Sequence, residues 1–211
     1  MRASQHMTTW HSVEVSARRS SATAPPTGLP YGNGIQRRAA ELERLRADVH
    51  RLFDARDGTE PAQRAWSEAA KAFGEALRSF YRPYDLGSRI RSGDRAAIDD
   101  AVRFLEADPW CFRSGYVKAE LMGALANCRL PGNAKDRLRR VVMHRVMNPE
   151  PRLGRPVGQL AHNVWDESLA SQVRAAAEHG TEGQRDAALA MGRAVEHKRQ
   201  TLAGRITKDG R

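Results

Sequence analysis

Seven cations and a histidine crowd one short stretch of this sequence: Lys135, Arg137, Arg139, Arg140, His144, Arg145, Arg152 and Arg155. Half of the chain's formal excess of +10 lies between residues 131 and 158. Guanidinium groups take carboxylates and phosphates through paired hydrogen bonds, so such a run suits an acidic surface. At roughly 100° per residue on a helix, Arg137, Arg140 and His144 fall within roughly 60° of one another, a stripe beside apolar Leu138, Val141, Val142 and Val146. The bland alternative is a solvated helix face. Arg145 falls inside the apolar arc, where a guanidinium without a partner is costly, so it must snorkel or meet a carboxylate. No aromatic residue interleaves with these cations, which argues against a stacking platform for single strands. Nor is there a helix-turn-helix or zinc-finger signature.

Other constellations carry less. Tyr81 and Tyr84 flank Arg82-Pro83, and exposed they would form a protein-binding patch; packed inward, they would anchor a loop. His162 and Asp166 stand i,i+4, but two ligands fall short of a metal shell. The neighbouring pairs Asp99-Asp100 and Asp166-Glu167 do not converge on one substrate from a helix. Nucleophile-elbow, HExxH, CxxC and phosphate-loop patterns are missing. Cys111 and Cys128 sit toward opposite ends of one expected helix, too far apart to bridge, and read as core thiols in a reducing compartment. Neither an enzyme, a cofactor nor a metal is expected.

These residues are positioned by helices. Ile35, Ala39, Leu42, Leu45, Val49 and Leu52 recur at three- and four-residue steps. Thr59 reads as an N-cap, with Pro61 in the first turn of a helix bearing Trp66, Phe73, Leu77 and Phe80. Asp94 caps a helix that stops at Asp108-Pro109, because a residue before proline avoids the helical region. Ser114 and Asn133 open two more, the second stopping at Asn148-Pro149. Pro156 starts a segment continuing through Leu169 and Val173 toward Gly180, and Thr181 with Gln184 matches the capping-box spacing. Core packing is the expected place of Trp66, Trp110 and Trp165. The expectation is an all-α domain of about seven helices, a short stack of antiparallel hairpins or a compact bundle, over residues 35–203. It divides into a hairpin at 35–81, two similar units at 94–165 and C-terminal helices at 166–203.

Composition sets the limits. The chain has 211 residues, 40% of them hydrophobic and 6% aromatic, enough for one core of ordinary size. No apolar run approaches the roughly 18 residues that span a bilayer. Two cysteines exclude a disulfide scaffold. Of the 35 basic residues only five are lysine, a bias that base composition explains as readily as selection does. Residues 1–34 hold few large apolar side chains and read as a flexible arm, and residues 204–211 as a tail.

A shift of 40 residues lays Ile98 on Leu138, Ala101 on Val141, Val102 on Val142, Asp108 on Asn148 and Pro109 on Pro149. The stretches FLEADPWCFRSGYVKAELMGAL and RVMNPEPRLGRPVGQLAHNV thereby resemble HEAT-type helical repeats over about residues 94–165. The pattern departs from that family at Asn148 and Gly158, and no third repeat is visible. The resemblance implies a stack of hairpins used as a binding surface without catalysis of its own. The expected function is thus a non-enzymatic cytoplasmic adaptor binding an acidic protein through Arg137, Arg140, His144, Arg152 and Arg155, with Tyr81 and Tyr84 second. The alternative is a nucleic-acid-binding protein using the same cations, joined by Arg18, Arg19, Lys198, Arg199 and Arg205.

Overall fold

The computed structural model describes residues 33–150 and 153–209, with side chains over 34–150 and 153–201; Arg152 and residues 1–32 of the expected arm lie outside the described residues. Two boundaries are corrected: Asn33 and Gly34 already belong to a helix, and the expected tail is helical as far as Asp209. Among the described residues the chain is all-helical. Nine α-helices follow one another there: α1 (Asn33–Phe53), α2 (Glu60–Tyr81), α3 (Gly87–Arg91), α4 (Arg95–Ala107), α5 (Ser114–Leu125), α6 (Gly132–Met147), α7 (Gly154–Val164), α8 (Glu167–His179) and α9 (Glu182–Asp209). Two elements exceed the seven expected. The short α3 follows a 3-10 turn at Arg82–Tyr84, and the segment after Pro156 breaks at Trp165-Asp166. There the Asp166 carboxylate accepts from the Leu169 N–H at 2.8 Å and starts α8 afresh.

The local signals elsewhere act as their chemistry requires. Thr59 caps α2 by accepting from the Ala62 N–H at 3.3 Å. Asp94 caps α4 through the N–H groups of Ala96 and Ala97 at 2.9 and 3.2 Å. Gln184 reaches back to the Thr181 N–H at 2.9 Å, the glutamine half of a capping box. Ser114 is a correction: the helix starts on it, and the residue before it, Arg113, takes a left-handed conformation at φ 67°.

Each helix from α4 onward packs on the helix two places along. Thus α4 lies on α6 and α6 on α8, while α5 lies on α7 and α7 on α9. This order makes two layers from three antiparallel hairpins, α4–α5, α6–α7 and α8–α9. The α1–α2 hairpin precedes them, with α1 against α4 and α3 against α5. One continuous core runs through the stack, from Ala39 and Leu42 past Ile98, Leu121, Leu138 and Leu160 to Val195. No helix among the described residues is long and apolar enough to cross a membrane.

Candidate functional site

The cations of α6 point two ways. Arg137 turns toward α4, where its Nε and one Nη meet the two carboxylate oxygens of Glu106 at 2.9 and 2.5 Å. Its other Nη reaches Asp99 at 2.5 Å. The hydrogen bonds that Arg137 donates to Glu106 do most to hold this guanidinium's pKa above its ordinary value. Arg137 is therefore a fastening between successive hairpins, which corrects its assignment to a partner surface. Arg140 shares the stripe and stays outward, whereas His144 is half-buried and turns toward Asp108, which corrects its assignment to a partner surface. Arg140 lies 3.8 Å from Glu106, with its side chain 59% exposed.

Arg145 is buried, and it meets carboxylates as its place in the apolar arc demands. It donates to Asp108 of the preceding corner and to Glu150 at 3.2 Å. Asp108 gathers more than this one cation. Lys118 of α5, only 1% exposed, stands 2.6 Å from the same carboxylate, and His144 Nε2 stands 3.5 Å away. Burial alone would raise the Asp108 pKa. The hydrogen bond from His144 and the charges of Lys118 and Arg145 outweigh it, holding the carboxyl well below the usual range. The residue itself is left-handed, at φ 47°, which lets it end α4 and face the next hairpin together. Sequence reasoning passed over Lys118, yet the signal was present: Leu121, Met122 and Leu125 follow it at three, four and seven residues, placing it on the buried face.

The tyrosines are also corrected. Tyr84 is 8% exposed and packs on Phe104 at 4.3 Å between ring centroids. Tyr81 is half-buried, donating to the Phe112 carbonyl and lying 3.3 Å from the Cys111 sulfur. Both anchor the 3-10 turn to the core, and neither joins the α6 stripe. Trp110 departs the other way, 69% exposed at the α4–α5 corner, because the residue after Pro109 stands at the apex rather than beneath it. Trp66 and Trp165 are half-buried.

A groove of about 1020 Å³ runs between α7 and α9, and one end is closed by the α6–α7 connection. Leu153, Val157, Met191 and Ala194 contribute its apolar floor, while Arg155, His197 and Lys198 stand at its edge. Of its acids, Glu150 is bound to Arg145, and Asp186 has no cation within 4 Å among the described residues. Arg155 thus belongs to this groove, apart from Arg140 and His144. The helices can approach because position 158 is glycine: a Cβ there would meet the Ala194 Cβ at 2.9 Å. Burial, together with the charges of Lys198 and Arg199, pushes the pKa of His162 on α7 down. Compared with protein-family models, curated proteins and solved structures, the chain gives no match. No group of three potential metal ligands occurs among the described residues.

Proposed function

We propose that this chain is a non-enzymatic helical interaction module that binds an acidic protein segment in the groove between α7 and α9. The observation carrying this reading is charge complementarity over an apolar floor. Arg155, His197 and Lys198 edge a trough floored by Val157, Met191 and Ala194. Such a trough suits a segment with apolar residues on one side and carboxylates on the other. Arg140 is the exposed remainder of the α6 stripe and extends the cationic surface. The module is HEAT-like in this reading: α8–α9 supplies the third hairpin, and the layers repeat in the order such repeats require. Two free thiols, Cys111 buried and Cys128 half-buried, fit a reducing cytoplasmic setting.

The test is affinity capture on the tagged chain from its host lysate at near-physiological salt, with and without nuclease, using the parent and Arg155→Glu/Lys198→Glu. The reading expects an acidic protein that survives nuclease, is retained by the parent and is lost from the double variant while the circular dichroism melt holds. Capture that disappears with nuclease, with a steep linear dependence of log affinity on log salt, would replace this reading by nucleic-acid binding. Retention by the double variant would show that the groove is not the docking surface.

A further inference from the structure

Away from the α7–α9 groove, the start of α1 and the outer face of α4 border a second, open depression of about 410 Å³. Three guanidinium groups line it, from Arg37, Arg38 and Arg103, against a single carboxylate, Asp100. Ile35 adds an apolar wall and Tyr84 a floor. Arg38 is held in place: it lies over the Phe80 ring at 5.8 Å and donates to the Tyr84 hydroxyl oxygen at 3.4 Å. Arg103 is steered by Asp99 at 2.7 Å, with its side chain still 58% exposed. Arg37 is exposed and has no carboxylate within 4 Å among the described residues.

Tyr84 is an independent pointer. It is more than nine-tenths buried, and its hydroxyl proton has no acceptor among the described residues. A phenol that accepts from one arginine and keeps its own proton available can donate to an anion bound beside that arginine. Guanidinium forks match tetrahedral oxyanions better than they match single acceptors.

We infer that this depression binds a small phosphorylated molecule, its phosphate held by Arg37, Arg38 and Arg103 and by the Tyr84 hydroxyl. Asp100 repels the phosphate and accepts from a hydroxyl on the organic part, so a sugar phosphate is favoured over inorganic phosphate. This site is separate from the groove and does not depend on the reading given to it.

The test is calorimetric titration of the full chain, at fixed ionic strength, with ribose 5-phosphate, inorganic phosphate and unphosphorylated ribose. Expected are saturable binding of ribose 5-phosphate at about millimolar or tighter Kd, weaker binding of phosphate and none of ribose. Arg37→Gln/Arg103→Gln, both exposed positions, should weaken ribose 5-phosphate by at least about tenfold without moving the melting temperature. Tyr84→Phe keeps the packing and should weaken it about three- to tenfold. No saturable heat from either phosphate overturns the inference, as does equal binding by the parent and the double variant.

Discussion

Replacing Asp108 by asparagine removes one charge from the α4–α5 corner and little else. Asparagine tolerates the left-handed backbone that Asp108 occupies at φ 47°, so the exchange leaves the turn unstrained. What it strands is Lys118, 1% exposed and 2.6 Å from the lost carboxylate, and part of the pairing of Arg145. Removing one partner of a buried ion pair costs about 3–5 kcal/mol. Glu150 remains on Arg145 and the corner admits some solvent, which places Asp108→Asn near the lower end, about 3 kcal/mol. For a domain of this size that lowers the melting temperature by about 6–12 °C at pH 7. The pH dependence gives a second reading. A carboxyl whose folded-state pKa is depressed contributes stability above its unfolded value, about 4, and loses it as pH falls through the folded value. The parent and variant melts should therefore converge as the pH drops below about 4. Adding Lys118→Met removes the orphaned ammonium, so the double variant should lose less than the two single losses combined, by about 1–3 kcal/mol. A shift under about 2 °C at pH 7, or a deficit indifferent to pH, would refute the assignment of Asp108 as the charge centre of the stack.

Arg137→Met leaves Glu106, 6% exposed, without its bidentate partner and should cost about 2–4 kcal/mol in chemical denaturation. If that loss were absent, Arg137 would not be joining the two hairpins. Gly158→Val introduces a Cβ only 2.9 Å from the Ala194 Cβ and two methyl groups beyond it, forcing α7 from α9 at about 1–3 kcal/mol. A thermal melt equal to the parent's would show that the crossing is loose.

The helices were legible because their apolar residues recur at helical spacing and their ends carry proline, glycine or capping side chains. The 40-residue echo aligns the ends of α4 and α6, at Asp108-Pro109 and Asn148-Pro149. The third hairpin was hidden because its helices join at Gly180-Thr181, with no counterpart of the Asp108-Pro109 corner. The break between α7 and α8 was hidden because Asp166 caps without a proline or glycine to announce it. The cationic stripe was legible as a stripe, but Arg137 and His144 within it were misread as surface. Arg137 finds Glu106 and Asp99 at separations of 31 and 38 residues, which helical periodicity within α6 does not reveal. Those separations are nonetheless close to the 40-residue shift of the echo, so residues of α4 facing α6 were the place to look.

From α4 onward, side-chain bonds that tie one hairpin to the next span only 31 to 38 residues, among them Asn163 to the carbonyls of Leu125 and Cys128, Arg137 to Glu106 and Asp99, and Arg145 to Asp108. A chain emerging from the ribosome therefore meets, with each new hairpin, a docking surface that has already been synthesised. Assembly in order of synthesis needs no distant C-terminal segment to complete an earlier unit, and the loop closed at each step stays short.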